Sequence, residues 1–358
     1  MSPLKILIII QRSNGDVLLA ASLINEIYNH FQTDNIDLLI NDDTLPVAKS
    51  LSNINLIHTF SYTKKNTNRW RQEREIINLI FRKYDLSINL TASDRSVLYA
   101  LMASKKSISA IEKNTSKSWW KKLLLSSSYY FDSNKHILLN NLEPLSLLGI
   151  KSSIKLFPLA SDEDAEQSIQ NKLQKLNIEK FLIFHPSAQY QYKMYPEKLR
   201  TELFHLLNGL GVSIIVTGGR NNLDSQVREE IPHLDNIINW IGNTSMNEYI
   251  ALSKLSMAYI GMDTLNMHLA ATQNKRIFAI FGPTKLDMWS PWSNELKISA
   301  SVNMPMQTYG KVTIFQANMP CVACGKAGCD NRHGKSECLD HIDPHMIFNE
   351  VERWYQNV

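Results

Sequence analysis

With 358 residues the chain exceeds what one hydrophobic core usually supports, so two domains are expected. Its 44% hydrophobic and 20% charged residues exclude a disordered chain, and no apolar run approaches the roughly 20 residues that span a bilayer as a helix. A net charge of +4 is too small to point to a polyanionic partner by itself.

In chain order the elements alternate. KILIII reads as a buried parallel strand. Its apolar run is too short for the core of a signal peptide, and Arg12, Gly15 and Asp16 follow without a small-residue cleavage site. The protein is therefore expected in the cytoplasm. QRSNGD is a turn, and VLLAASLINEIYNHF has helical spacing. IDLLI, INLIHTF and DLSINL read as strands, with a helix start at LPVAKSL and a helix at REIINLIFRKY. A polar helical segment within 157–175 leads out of a linker. The second half restarts the same grammar. KFLIFHPSA, VSIIVTGG, NIINWIG, MAYIGMD and RIFAIFGP read as strands, and EKLRTELFHLLNGL, MNEYIALSKLS and MHLAATQ as helices. PHMIFNEVERWYQNV closes the chain as an amphipathic helix.

This alternation predicts an α/β protein with parallel sheets covered on both faces. The two halves are similar, and the cleft between them is the expected ligand site. The expected division is 1–160, then 161–343 with a cysteine-rich loop at 320–338, then a final helix at 344–358.

Four groups of residues carry candidate chemistry. Asn14-Gly15-Asp16 stands at the carboxyl end of the first strand, where Asp16 either caps a helix or serves as a general base. HPSAQYQYKMYPEKLR places Ser187 and Lys193 in a strand-to-helix loop suited to a diphosphate. GMDTLNMHLAATQ places Asp263 at a strand end, Thr264 at a helix start, and His268 one helical turn beyond Thr264. The FGPT turn adds a further loop at that edge. The fourth group holds all four cysteines, Cys321, Cys324, Cys329 and Cys338. Their spacing admits a closed structural site for zinc or iron, or else four unligated thiols.

A stretch from Arg95 to Phe131 adds Lys105, Lys106, Lys113, Lys117, Lys121 and Lys122 against the single acid Glu112, with Trp119, Trp120 and Tyr129 among them. This composition suits either an ordinary solvated basic helix or contact with an anionic, amphipathic partner such as a lipid head group. Lys105, Lys106, Lys113 and Lys117 are the candidate acceptor-binding residues. No recognition motif accompanies the patch, so nucleic acid is not expected.

Together these segments resemble the ADP-heptose:lipopolysaccharide heptosyltransferases, glycosyltransferase family 9, over nearly the whole chain. KILIIIQRSNGDVLLAASLINEI is similar to the family's first strand, Gly-Asp turn and helix. HPSAQYQYKMYPEKLR is similar to its donor-phosphate loop, and MDTLNMHLAATQNKRIFAIFGPTKLDMWSPW to its donor segment. PCVACGKAGCDNRHGKSECLDHI is similar to the cysteine-containing tail of the heptosyltransferase III branch. The resemblance implies a GT-B fold, two facing Rossmann-like domains with the last helix returning to the first. It implies inverting, metal-independent transfer of heptose from ADP-L-glycero-β-D-manno-heptose to the lipopolysaccharide inner core, at the inner-membrane surface. Asp16 would be the base, and Ser187, Lys193, Asp263, Thr264 and His268 would bind the donor. The chain departs from the family pattern at Leu265, commonly glycine in the first two branches, and at Gln189, often arginine. The TGGRNN loop, 217–222, lacks an acid to grip a ribose. Alternatives are a protein O-heptosyltransferase of the autotransporter type, a transferase using another nucleotide hexose, and a non-catalytic sugar-nucleotide or glycolipid binding protein.

Overall fold

The computed structural model describes residues 4–358, with the backbone alone at 64–67 and 115. It divides into two compact units, Met1–Leu159 and Ala160–Val358.

Unit 1 is built on a six-stranded sheet. Its strands are β1 (Ile6–Ile10), β2 (Ile36–Asn41), β3 (Ile57–Phe60), β4 (Leu86–Asn89), β5 (Lys106–Ile111) and β6 (Ser127–Tyr130). All pair in parallel, in the order β3-β2-β1-β4-β5-β6. β1, β2 and β4 are central and covered on both faces, so each is buried along its whole length, including the polar Ser87 and Asn89 of β4. Leu7 and Ile9 pack on Leu39, Phe60, Ile76, Ile80 and Tyr99.

The sequence reading missed β5 and β6. KSISAI shows no apolar run, because Ser107 and Ser109 stand at core positions. The core accepts Ser109 because its hydroxyl is bonded: it accepts from Asn89 Nδ2 at 2.8 Å and donates to Ala110 O. LPVAKSL yields one helical turn, Leu45–Ala48, whereas the following helix runs back to Tyr62 and ends at Ile80.

Unit 2 repeats the arrangement. Its strands are β7 (Phe181–His185), β8 (Ser213–Val216), β9 (Ile237–Asn239), β10 (Ala258–Met262), β11 (Arg276–Ile280), β12 (Met306–Tyr309) and β13 (Val312–Phe315). The order is β12-β13-β11-β10-β7-β8-β9, parallel except for the β12–β13 hairpin. That hairpin lies beyond the expected strands and turns at Gly310, whose φ of +51° suits glycine.

The closing helix, Pro344–Tyr355, packs its buried face on the helix Glu197–Asn208 of unit 2. Ile347 and Val351 join the core of Tyr195, Phe204 and Phe278, and Trp354 meets Phe278 edge-on.

Both sheets reverse strand order between their first and fourth strands, β1/β4 in unit 1 and β7/β10 in unit 2. Loops leaving such a pair diverge, and the crevice at their carboxyl ends is where α/β sheets collect ligands.

Candidate functional site

The switch point of unit 2 gathers most of the expected residues. Gly261 lets β10 approach β7: its φ is +152°, and a Cβ there would lie 2.4 Å from the His185 carbonyl oxygen. Beyond it, Asp263 receives Lys193 Nζ at 2.9 Å, from the short turn Gln191–Lys193. Asp263 is buried and Lys193 partly exposed, so the pair fixes one cation at the mouth of the crevice.

Thr264 opens the helix Leu265–Thr272 without capping it by its side chain, which leaves backbone N–H groups for a ligand. His268, one turn on, is buried beside Trp289, and its Nδ1 has no protein partner. Burial drives its pKa down to about 4; Asp263 pulls the other way and Lys193 adds to the lowering. His268 is thus a neutral imidazole near pH 7, a hydrogen-bonding group with no charge of its own.

Ser187 is placed differently from expectation. Its hydroxyl donates to Asp224 Oδ1 at 2.5 Å, and both residues are buried. Asp224 closes a capping box with Asn221 at the start of the helix Asn222–Glu230. It also explains the glycine pair in TGG, since a Cβ on Gly218 or Gly219 would lie 2.9 or 2.8 Å from its carboxylate. The loop said to lack an acid is therefore folded against one two residues further on. The capping-box spacing Asn221-x-x-Asp224 was the signal for it.

His185, Thr217 and Asn266 were also missed. His185 ends β7 with Nδ1 3.0 Å from Thr217 Oγ1, and Asn266 Nδ2 approaches the same ring. Burial lowers the His185 pKa to about 4, against the pull of Asp224. Beside Lys193, Tyr192 stacks on Tyr190 at 5.4 Å, and His333 of the cysteine-rich loop lies against both rings.

That loop is stitched to the FGPT turn: Ala323 N–H donates to Gly282 O at 3.2 Å and Gly325 N–H to Pro283 O at 2.7 Å. Cys321, Cys324 and Cys329 are exposed and Cys338 is buried. Burial, and then the other three cysteines, push the Cys338 thiol up to about 12. Among the described residues no group of three or more His, Cys, Asp or Glu is arranged to hold a metal ion.

In unit 1 the switch-point residue is Asp16. It lies in the first turn of the helix Asn14–Leu19, where Oδ2 accepts the Ser13 N–H at 3.1 Å and the Ser13 hydroxyl at 2.7 Å. Oδ1 is 2.8 Å from Arg12 Nε, yet no donor is aligned on it as a hydrogen bond. The carboxylate is thus buried and held in place by Ser13 and Arg12. The Gln11 N–H donates to Thr91 Oγ1 at 3.0 Å, tying the loops after β1 and β4 together.

The four candidate acceptor lysines are not brought together. Lys105 and Lys106 stand at the start of β5, whereas Lys113 and Lys117 follow its carboxyl end. Roughly 17 Å of strand separates the two pairs, at about 3.3 Å per residue. Because β5 is parallel to β1, Lys113 and Lys117 share the end that carries Asp16. Lys113 is ion-paired with Asp132 at 2.9 Å, and Lys117 is exposed.

A family model, glycosyltransferase family 9 (heptosyltransferase), matches residues 74–318. Lipopolysaccharide heptosyltransferase 3 of Escherichia coli K12 is 24% identical over 295 residues, covering 80% of this chain and 84% of its own. Among solved structures, a family 9 glycosyltransferase from Veillonella parvula aligns with a TM-score of 0.76 at 16% identity, covering 100% of this chain and 99% of that one. E. coli heptosyltransferase WaaC with ADP aligns at 0.72 and 13% identity, covering 98% and 99%. The fold these share is GT-B.

Proposed function

The chain belongs to glycosyltransferase family 9, the heptosyltransferases, and from that premise we propose that it transfers heptose from ADP-L-glycero-β-D-manno-heptose to the inner core of lipopolysaccharide. The observation that carries this reading is the fixed Lys193–Asp263 pair beside the uncapped start of the helix Leu265–Thr272, at the switch point of unit 2. Inverting displacement at the anomeric carbon builds negative charge on the departing diphosphate. Lys193 and the free N–H groups near Thr264 are suited to take up that charge without a divalent metal. Neutral His268 offers a hydrogen bond to the donor and adds no repulsion to Lys193. Ser187 acts by holding Asp224, and so the backbone of the glycine loop, as well as by any contact of its own.

Asp16 of unit 1 is the proposed general base. It takes the acceptor proton while Ser13 and Arg12 keep the carboxylate in place. Lys113 and Lys117 are the proposed cations for the phosphorylated acceptor, and Lys105 and Lys106 leave that role because they lie at the other end of β5. No helix among the described residues is long and apolar enough to cross a membrane. We place the enzyme on the cytoplasmic face of the inner membrane, where a lipid-borne acceptor is met.

Release of ADP on mixing donor with a heptose-deficient core acceptor tests the reading, together with mass spectrometry of the core from a strain lacking the gene. Loss of one heptose supports it, and an unchanged core overturns it. A structural zinc or iron at the cysteines would take no part in this chemistry. Elemental analysis of protein purified without chelator decides between one ion per chain and four unligated thiols.

A further inference from the structure

The helix Thr115–Leu124 in unit 1 is built inside out. Its inward face carries Ser118, Lys121 and, at the C-cap, Leu125, spaced i, i+3, i+7. Lys121 is fully buried, where its Nζ reaches Asp94 and Glu112 at 2.7 Å and donates to Ala92 O at 2.9 Å. The outward face carries Trp119 and Leu123, spaced i, i+4 and exposed to 63% and 75%, with Leu124 beside them at 57%. An ordinary surface helix turns its apolar stripe to the core and its lysines to water. Here Trp120 alone among the four large apolar side chains is half-buried, against Val97, Ile111 and Leu125.

Charge frames this strip. About the helix axis, Lys117 and Lys122 flank Trp119 and Leu123 on opposite sides, and both are exposed. Among the described residues neither has a carboxylate partner, because the nearby acids are engaged: Glu112 and Asp94 hold Lys121, and Asp132 holds Lys113. Lys122 lies over the ring of the exposed Tyr130, 4.7 Å from its centroid, and hydrogen-bonds its hydroxyl. Tryptophan, tyrosine and leucine flanked by unpaired lysines is the composition of a surface that enters the head-group region of a membrane. The lysines are drawn to anionic lipid, and the apolar side chains lose the water they are exposed to in the free protein.

We propose that the outward face of the helix Thr115–Leu124, through Trp119, Leu123 and Leu124 framed by Lys117 and Lys122, docks unit 1 onto an anionic phospholipid surface. The proposal deepens the membrane contact in the function above and rests on that part of it, but not on the chemistry at Asp16 or Lys193.

The test is co-sedimentation of the full chain with vesicles of phosphatidylcholine containing phosphatidylglycerol, against phosphatidylcholine alone. The wild type is expected to bind the anionic vesicles and bind the neutral ones weakly. W119S/L123S, which changes only exposed side chains, is expected to lower the partition coefficient at least about tenfold, and K122E to weaken binding to anionic vesicles only. ADP release with donor and a detergent-dispersed acceptor is expected to be unchanged in W119S/L123S. Failure of the wild type to bind anionic vesicles overturns the proposal, leaving the face to a protein partner. So does wild-type binding by W119S/L123S. Loss of ADP release with vesicle binding retained would assign the face to the acceptor and overturn the proposal as well. If the wild type releases no ADP at all, the transferase reading fails while the vesicle result stands by itself.

Discussion

The two units share a strand order, yet their switch points hold opposite kinds of chemistry. After β7 and β10, unit 2 places a cation on a buried carboxylate and adds two neutral imidazoles, His268 beside that pair and His185 at the end of β7. After β1, unit 1 places one carboxylate in a capping box, held by Arg12 and Ser13. The scaffold supplies the same crevice twice, and the loops decide what it binds. In the proposed reading unit 2 holds an anion whose charge grows during reaction, and unit 1 supplies the proton acceptor. The difference extends to the surface, where unit 1 exposes Trp70, Phe81, Trp119 and Leu123 and unit 2 has no exposed tryptophan or phenylalanine among the described residues.

If that division holds, the largest loss should come from the smallest change in unit 1. Asp16→Asn keeps the size of the side chain and a capping amide oxygen but removes the base. Transfer should fall by roughly 100- to 10,000-fold, the range of general-base catalysis, with ADP affinity intact. Initial rates of ADP release and calorimetric ADP titration check both halves of the expectation, and normal turnover would eliminate Asp16 as base. Lys193→Ala should act on the other side of the comparison. It removes a charge-assisted contact and leaves Asp263 buried and unpaired, so ADP affinity and rate should both fall, by roughly 10- to 100-fold. An unchanged ADP affinity would contradict the phosphate cradle in unit 2.

The next expectation concerns the backbone that brings the site together. Gly261→Ala puts a Cβ 2.4 Å from the His185 carbonyl oxygen, at a φ of +152°. β7 and β10 must part, at about 1–3 kcal/mol, typical of an overpacked core. Thermal unfolding would show it as a lowered Tm, and an unchanged Tm would show that the strands yield freely.

What was legible in the sequence follows the same physics. Largely apolar runs announced β1, β2, β7, β10 and β11, because strands covered on both faces leave little room for alternation, whereas β4 was read from DLSINL although Ser87 and Asn89 are buried in it. β5 stayed hidden because serines stand at its core positions, Ser109 being satisfied by Asn89 and the backbone, a partnership across strands that no local pattern reports. Lys193, Asp263, Thr264 and His268 were legible because two strand-end loops carry them. Asp224 was not, because its place beside Ser187 depends on β7 and β8 being neighbours. The buried Lys121 was read as part of a basic stretch, since its pairing with Asp94 and Glu112 depends on the fold.

The imidazoles of unit 2 set a pH dependence. His185 and His268 sit near 4 in the folded chain, against 6.5 for the free side chain. Between those values the unfolded chain binds more protons than the folded one, so stability falls as pH drops from about 6.5 towards 4 and is level in this respect above that window. Chemical denaturation across the interval should show the slope, and His268→Asn should reduce it. A slope identical in that variant would mean that His268 titrates normally and is not the neutral group that the donor reading requires.

The smallest effect tests how far unit 1 reaches. Lys105→Ala and Lys106→Ala change side chains at the start of β5, roughly 17 Å of strand from the end that carries Asp16. Lys117→Ala changes an exposed lysine at the Asp16 end. A phosphorylated acceptor presented to Asp16 is within reach of Lys117, and exposed charges further away than the Debye length of about 8–10 Å are screened. The KM for acceptor should therefore rise a few-fold in Lys117→Ala, as expected for one solvent-exposed ion pair of about 1 kcal/mol or less, and stay unchanged in Lys105→Ala and Lys106→Ala. Equal effects at all three positions would mean that the acceptor spans the length of β5. In that case the basic stretch would be one continuous binding surface, and the separation of its two ends by the strand would carry no functional weight.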